Sequence, residues 1–256
     1  MNFNSRNGVR VRASLDVRER RRAENDARAV RIMTAAARVF ARRGVENATM
    51  EMIAREANVA VGTIYIHFAS RDEVYLNLCA DRGTQLGTGY REVIARSLKP
   101  LDEIRALAQV YIEYLQESAD PILISEPTPY YEIRKRLRRS SEIRAFDRGS
   151  KIRQEVFRLF ESSVKRAFDR GLVADSLGAT GVTIAIWSIL NGAFMVTRDR
   201  EYLVDTIGFE PEGFVAKALD SYLQGVAAAA RAGIRQSKPA QRRNRPLGMS
   251  RKGTSL

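Results

Sequence analysis

Apolar residues recur every three or four positions along most of the chain, which is the spacing of one face of an α-helix. In residues 28–43, the apolar side chains Ile32, Ala36 and Phe40 lie four positions apart, and Gly44 follows in the usual place of a helix stop. No segment shows a convincing strand pattern. The periodicity predicts an all-α protein whose first regular helix ends at Gly44.

Two short helices follow the first one and are separated by a tight turn. Residues 49–57 begin with Thr49, a residue type that caps helices, and direct Ile53, Ala54 and Ala57 inward. Asn58 tolerates left-handed backbone angles and so suits the turn. Residues 61–68 (VGTIYIHF) form the next helix, with Ile64 and Phe68 on one face and smaller or polar residues on the other.

The remainder of the chain is a series of longer amphipathic segments. Ser70 and Glu73 form a capping box that opens a fourth helix. We expect that helix to end near residue 97, and the later ones to span about 101–119, 130–139, 142–170, 176–198 and 211–230. Three glycines, Gly83, Gly87 and Gly89, interrupt the fourth helix. They indicate either a stretch that bends, or a loop, or a place of close packing.

The two short helices with their tight turn have the form of a helix-turn-helix, in which the second helix lies in the major groove of DNA. Ile64 and Phe68 would fix the second helix to the core, and Gly62, Thr63, Ile66 and His67 would lie on its outer strip. Thr63 can bond a phosphate or a base edge, and an exposed Ile66 suits a thymine methyl group. The pattern therefore predicts a DNA-reading helix.

The positive charge of the chain lies at its two ends. The net charge is +13, of which residues 1–23, with seven arginines and two acids, supply +5. Residues 231–256 carry eight basic residues and no acid and supply the other +8. Segments of this kind contact phosphates or anionic surfaces, or are merely solvated disordered ends. We expect two basic, disordered arms on a neutral folded body.

Several functional classes find no support in the sequence. It has one cysteine, Cys79, and one histidine, His67, so neither a disulfide nor a structural zinc site is expected. No nucleophile elbow or phosphate loop is present, and we expect no catalytic residues, no metal and no cofactor. Residues 177–196 are apolar but are interrupted by polar residues, which favours a buried helix over a membrane span. Without a secretory signal at the N-terminus, a cytoplasmic location is expected.

The first quarter of the chain resembles the DNA-binding domain of TetR-family transcriptional regulators. The matching segments, with correct spacing throughout, are 40–44 (FARRG), 48–49 (AT), 53–54 (IA), 57–59 (ANV), 62–65 (GTIY), 67–68 (HF) and 70–73 (SRDE). The chain departs from the family at Asn58, often glycine, at Ala60, often serine, and at Arg71, commonly lysine. These departures concern individual contacts and leave the motif recognisable.

The resemblance implies an architecture, a domain division and a set of DNA contacts. It implies an all-α fold with an N-terminal three-helix DNA-binding domain (24–71) and a larger helical ligand-binding and dimerisation domain (72–230), between basic tails at 1–23 and 231–256. The residues assigned to DNA are Thr49, Ala60, Val61, Gly62, Thr63, Tyr65, Ile66, His67 and Arg71. Thr49 is as easily a helix cap alone, and Val61, Tyr65 and His67 have alternative roles in the local core.

The family also implies a homodimer, built from the helices near 176–198 and 211–230, that binds a palindromic operator in double-stranded DNA and is released by a small molecule. A pocket for that molecule is expected among the aromatic residues Tyr90, Tyr111, Tyr114, Phe157, Trp187 and Phe194, although such residues are also ordinary core. Repression is the default, and no membrane is involved. The alternative is a protein that binds nucleic acid or anionic surfaces nonspecifically through its tails.

Overall fold

The computed structural model describes residues 5–117, 127–174 and 176–237, and these contain only helices and connections, with no strand. The α-helices are α1 (Ser5–Arg43), α2 (Met50–Ala57), α3 (Val61–His67), α4 (Arg71–Ala95), α5 (Pro100–Glu117), α6 (Pro127–Arg136), α7 (Ser140–Asp169), α8 (Gly178–Thr197) and α9 (Phe214–Ser237). A π-helical segment, Tyr202–Ile207, lies between α8 and α9. The all-α prediction is confirmed.

The N-terminal domain packs α1, α2 and α3 around one apolar cluster. Ile32 and Phe40 of α1, Ile53 of α2 and Ile64 of α3 are completely buried in it. Burial of four such side chains contributes roughly 1.5–3 kcal/mol each, which more than offsets the low intrinsic stability of helices only seven or eight residues long. The first three helices are therefore held by tertiary packing.

The caps predicted for the short helices are present. The Thr49 hydroxyl accepts a hydrogen bond from the backbone N–H of Met52 at 3.3 Å, and α2 begins there. Asn58 has a φ of 53°, in the left-handed region, and ends α2 in the predicted turn. Ser70 accepts from the N–H of Glu73 at 3.2 Å, so the predicted cap of α4 is present. The Glu73 carboxylate accepts from the N–H of Ala69 at 2.7 Å and not from that of Ser70, so the reciprocal bond of a capping box is displaced by one residue.

The larger domain is built on α4 and α7, which pack along each other, with α5, α8 and α9 completing its core. Tyr90 of α4, Leu107 of α5, Phe160 of α7 and Ile186 of α8 are fully buried there. Helix α8 is long and apolar enough to cross a membrane. This is weak evidence for a membrane span, because a buried core helix has the same length and composition. Four of its residues, including Ile186, are buried against protein.

The two domains pack against each other through one shared apolar cluster. Ile133 and Leu137, from α6 and its end, and Ala145 of α7 are buried in the same apolar cluster as the N-terminal helices. The Arg139 guanidinium also donates to the carbonyl oxygen of Ala69, and Ser141 donates to Glu73 at 3.1 Å. The start of α7 thus contacts the turn before α4, directly beside the reading helix.

Three features differ from the sequence-based expectations. The segment 1–23 was expected to be disordered, but its described part, from Ser5 onward, continues α1 as one helix of 39 residues. The C-terminal basic segment lies outside the described residues from position 238 onward, and α9 reaches Ser237. The π-helical segment was not expected; its Gly208 has a φ of 72° and closes it.

Helix α4 is continuous through the three glycines that were expected to interrupt it. A Cβ atom at Gly83 would lie 2.9 Å from Cγ2 of Ile152, and one at Gly89 would lie 2.8 Å from Cγ1 of Val110. Both distances are shorter than a normal carbon–carbon contact, so these two glycines allow α7 and α5 to approach α4 closely. Of the interpretations open from the sequence, close packing accounts for these two positions.

Candidate nucleic-acid interface and interior aromatic cluster

The reading helix α3 has one buried face and one exposed face. Ile64 and Phe68 are buried in the domain core, as predicted. Ile66 is 80% exposed and Tyr65 50% exposed, and Gly62 is exposed beside them. An isoleucine at this exposure makes little contact with the fold and is available to a partner outside the monomer.

The first turn of α3 has no side-chain cap. Ala60 is the N-cap residue and forms no side-chain hydrogen bond, which leaves the helix without the cap that a serine would supply. Val61 and Thr63 are half-buried on either side of Gly62. The Thr63 N–H donates to the Ala60 carbonyl oxygen at 2.8 Å. A helix N-terminus without a side-chain cap still favours a nearby phosphate, so this end of α3 is compatible with a nucleic-acid backbone.

His67 is placed less favourably for a phosphate than the sequence suggested. Its side chain is half-buried against Phe68, with ring centroids 6.4 Å apart. Its Nε2 atom is buried and has no hydrogen-bond partner among the residues that the structure describes. In this conformation Nε2 does not reach the surface, and a contact through that atom requires the ring to turn.

Arg71 is engaged within the protein. Its guanidinium donates to the carbonyl oxygen of Glu46 at 2.6 Å and to that of Ala48 at 3.4 Å, and it pairs with the Glu46 and Asp72 carboxylates, each at 3.2 Å. The predicted contact between Arg71 and DNA would have to compete with these bonds. Arg71 instead fixes the loop between α1 and α2, and thereby the start of α2.

A carboxylate that the sequence analysis did not select, Glu46, is the centre of this network. Arg136, at the end of α6, donates two hydrogen bonds to the two Glu46 carboxylate oxygens at 3.2 and 3.1 Å. The hydrogen bond from Arg136 lowers the pKa of Glu46 below its ordinary value. The pairing joins residues 90 positions apart, and no local sequence signal could have revealed it.

The exposed position of Thr49 is compatible with both roles considered for it. Its hydroxyl caps α2, as described above, and its side chain remains open to solvent. Among the nine residues assigned to DNA, the structure thus leaves Thr49, Gly62, Tyr65 and Ile66 exposed, with Ala60 also at the surface. The half-buried or engaged ones are Val61, Thr63, His67 and Arg71.

Five of the six aromatic residues proposed for a pocket are neighbours inside the larger domain. Tyr111 stacks on Trp187, with centroids 6.0 Å apart and planes at 5°, and on Tyr114 at 5.9 Å. Phe157 meets Trp187 edge-on at 5.1 Å. Tyr90 belongs to the same buried cluster, with its ring 5.7 Å from that of Phe160, and burial is the main cause that raises its pKa. Phe194 packs on the same core but has no ring contact in the described residues.

Polar atoms meet within this apolar cluster. The Tyr111 hydroxyl donates to Oδ1 of Asn191 at 3.2 Å, and Asn191 lies within the apolar run of α8. The Tyr90 hydroxyl and the Trp187 indole nitrogen are buried and have no hydrogen-bond partner in the described parts of the chain. Burial also raises the pKa of Tyr111 and Tyr114, so all three tyrosines stay protonated at neutral pH and remain hydrogen-bond donors.

The described residues contain no group of three or more histidine, cysteine or acidic side chains that could hold a metal ion. Carboxylates in the folded body instead pair with arginines, as in the Glu103–Arg166 pair between α5 and α7. Glu103 is almost completely buried and Arg166 is partly exposed. A half-exposed pair of this kind supports packing between the two helices and indicates no further chemistry.

The fold and the exposed reading helix define a helix-turn-helix protein with a second, helical domain. Residues 32–78 match the family described as "Bacterial regulatory proteins, tetR family". The resemblance read from the sequence is thus confirmed: the chain carries the N-terminal domain of the TetR family.

Curated relatives and solved structures agree with this identification. The chain is 28% identical over 98 residues to the HTH-type transcriptional activator FasR of Mycolicibacterium smegmatis, which covers 38% of this chain and 45% of that protein. It is 31% identical over 99 residues to the uncharacterized HTH-type transcriptional regulator YhgD of Bacillus subtilis, and this match covers 35% of this chain and 52% of that protein. The matched stretch spans about half the length of these relatives.

The similarity to solved structures extends over both domains. The fatty acid degradation regulator FadR from Bacillus halodurans superimposes with a TM-score of 0.60 at 16% identity, covering 78% of this chain and 96% of that one. At this identity the match supports the fold: an N-terminal helix-turn-helix domain followed by a helical domain.

Proposed function

We propose that this protein is a homodimeric, cytoplasmic transcriptional regulator that binds a palindromic operator through α3. The observation that carries the proposal is the exposed strip of α3, with Gly62, Tyr65 and Ile66 at the surface of a helix whose other side is fixed by Ile64. A rigid helix with an exposed small and apolar strip suits the major groove, and Ile66 suits a thymine methyl group.

The dimer interface is proposed on α8 and α9. Leu177, Ile184 and Met195 are 66, 53 and 42% exposed. At 3.6 residues per turn they fall on one face of α8, with Gly181 and Ser188 between them. An exposed apolar row with small residues between its members suits close packing against an identical helix. A two-fold dimer would place two copies of α3 roughly 34–36 Å apart, one turn of DNA.

The effector is proposed to bind at the aromatic cluster of Tyr90, Tyr111, Tyr114, Phe157 and Trp187. Apolar rings with a few polar atoms are typical of small-molecule sites. Among the described residues, Tyr90 Oη and Trp187 Nε1 are buried donors without a protein partner, so the site favours a flat molecule with a hydrogen-bond acceptor. The Arg82 guanidinium lies over the Tyr114 ring, 5.2 Å from its centroid, and adds a positive charge at the edge of the cluster. Because Trp187 is the only tryptophan, its fluorescence reports binding directly.

The proposal takes repression as the default, with release of DNA when the effector binds. The FasR relative is an activator by name. A helix-turn-helix positions the protein on DNA, and whether transcription rises or falls then depends on where the operator lies. The sign is therefore tested separately, by transcription from a promoter that carries the selected site.

The test of DNA reading is selection of random duplexes by the purified protein at ~150 mM salt, where weak nonspecific binding is reduced. We expect enrichment of a two-fold symmetric sequence. Ile66→Ala should change or weaken the preferred sequence and leave stability unchanged, because Ile66 makes little contact with the core. Leu98→Ala, at an exposed apolar position outside the DNA-binding domain, is the matched control.

A selection that retains DNA without any preferred sequence would contradict the proposal. It would favour instead the nonspecific binder driven by basic tails. Deleting the tails then separates the two functions, because the regulator keeps its sequence preference in residues 24–230 and the nonspecific binder loses DNA altogether.

A further inference from the structure

We infer that the N-terminal part of α1 is a rigid arginine-bearing arm that binds the phosphate backbone of DNA beside the operator. The arm is defined here as residues 18–31, the described exposed stretch of α1 before its first fully buried residue, Ile32. It carries six arginines and three acids. The inference rests on the proposed DNA-binding function and adds a second contact surface to it.

The arginines of the arm form a stripe. At 100° per residue, Arg18, Arg21, Arg22 and Arg28 fall within about 120° of the helix circumference. Of the three acids, Glu19 and Asp26 lie to one side of this arc and Glu24 lies to the other. Helices of ordinary surface character alternate their charges around the circumference, whereas this one presents four cations on one side.

The stripe has no partner within the described protein. Arg18, Arg21, Arg22 and Arg28 form no ion pair or hydrogen bond among the described residues. Eight arginines of the folded body are instead paired with a carboxylate: Arg42, Arg71, Arg91, Arg105, Arg136, Arg148, Arg166 and Arg200. Unpaired arginines, grouped on one side of an exposed helix, are complementary to a polyanion.

The character of the arm favours DNA over a membrane surface. Residues 18–27 (RERRRAENDA) contain no apolar side chain larger than alanine, and all are exposed. A helix that lies on a membrane needs an apolar face to insert between the lipids, and this stretch has none. Phosphates presented along a regular duplex need only charge and spacing.

The arm is also rigidly connected to the reading helix. The same uninterrupted helix contains Ile32, Ala36 and Phe40, whose side chains are completely buried in the core that also holds Ile64 of α3. From Arg18 to Ile32 the helix rises about 21 Å, a distance equal to about six base pairs of duplex. A rigid arm of this length can add phosphate contacts outside the operator without losing its own conformational entropy on binding.

The experiment compares a triple arm variant, R18Q/R21Q/R22Q, with a control variant, R144Q/R158Q/R170Q. The control removes the same charge from exposed α7 positions and the residue that follows α7. Glutamine has nearly the helix propensity of arginine, and circular dichroism checks that both variants keep the wild-type helix content. Binding of the full chain to a long labelled duplex is measured by fluorescence anisotropy between about 50 and 200 mM salt.

Each lost phosphate contact should reduce the magnitude of the slope of log affinity against log salt by about 0.9. If all three arginines bind phosphate, the slope of the arm variant should therefore be smaller than that of the wild type by about 2.7 per subunit. The control variant should keep the wild-type slope. Equal slopes for wild type and arm variant would overturn the inference. So would arm-dependent binding to anionic vesicles without a change in the DNA slope.

The measurement is made on a duplex with the selected site and on one of random sequence. If selection yields no preferred site, the proposed function fails, but the slope difference on random duplex still tests the arm. If the site is found and the slopes are equal, the regulator stands and the arm does not bind DNA.

Discussion

The glycines of α4 provide a quantitative test of whether this helix is packed or hinged. Gly83 and Gly89 face β-branched side chains of α7 and α5 at 2.9 and 2.8 Å from the position of a Cβ atom. Gly87 is different, because a Cβ atom there would lie 3.5 Å from Cγ2 of Val156, an ordinary contact distance. Alanine substitutions at the three positions therefore separate packing from helix propensity.

The expected free energies follow from two opposing effects. Alanine in place of glycine stabilises a helix interior by about 1 kcal/mol. At Gly83 and Gly89 the new methyl group overpacks a contact whose partner is a stiff branched side chain, which costs about 1–3 kcal/mol. We expect Gly87→Ala to stabilise the protein by about 1 kcal/mol, and Gly83→Ala and Gly89→Ala to lower the free energy of unfolding by about 0–2 kcal/mol.

The assay is urea and thermal unfolding of the three variants at one fixed protomer concentration, because the proposed dimer would make the melting temperature depend on concentration. At about 2–4 °C per kcal/mol for a domain of this size, Gly87→Ala should melt a few degrees above wild type and Gly89→Ala at or below it. If Gly89→Ala is stabilised as much as Gly87→Ala, the close approach of α5 to α4 is refuted.

The same variants address the hinge that the sequence left open. Gly87→Ala stiffens α4 without a clash, so a bending α4 would give weaker effector-induced release of DNA in this variant. A wild-type response in Gly87→Ala, together with its higher stability, would show that signalling does not require α4 to bend.

Four further outcomes follow from the described contacts. Asn58→Gly should stabilise the protein by up to about 1 kcal/mol and Asn58→Ala destabilise it by about as much in thermal unfolding, because the residue has a φ of 53°. Ala60→Ser should add an N-cap to α3 and about 0.5–1 kcal/mol of stability, also seen by melting. Glu46→Gln should lower stability at pH 7 by less than about 1 kcal/mol because Glu46 is largely exposed. The pKa of Glu46 in the folded protein lies below its ordinary value of 4.5, so this stabilisation is present above pH 4.5 and is lost as the pH falls through the lowered pKa. The acid unfolding curves of the variant and the wild type should therefore converge at low pH. Ile184→Glu should convert the dimer to monomers in analytical ultracentrifugation, and a dimer that persists would place the interface elsewhere.

Much of the N-terminal domain could be predicted because its signals are local. The Thr49 cap, the left-handed Asn58 and the Ser70 cap each depend on residues within three or four positions, and all three are present. The division of α3 into a buried and an exposed face also follows from the spacing of Ile64 and Phe68.

The features that the sequence did not reveal depend on distant parts of the chain or lack a pattern. Arg71 was assigned to DNA because its position is basic in the family, and its engagement by Glu46 depends on how the loop after α1 folds back. Residues 18–27 of α1 are exposed, and an exposed helix buries nothing and so leaves no apolar periodicity in the sequence. The continuity of α4 through its glycines is decided by the neighbours Ile152 and Val110, which lie on other helices.

The shared cluster of Ile133, Leu137 and Ala145 with the N-terminal helices has a consequence for modularity. The DNA-reading unit is discontinuous in sequence, because part of its core comes from residues more than fifty positions after α4 begins. A chimera that transplants only the first seventy or so residues onto another sensor would leave these apolar side chains without their complement. Exchange of specificity between such proteins, in the laboratory or in evolution, should succeed when α6 and the start of α7 travel with the reading head.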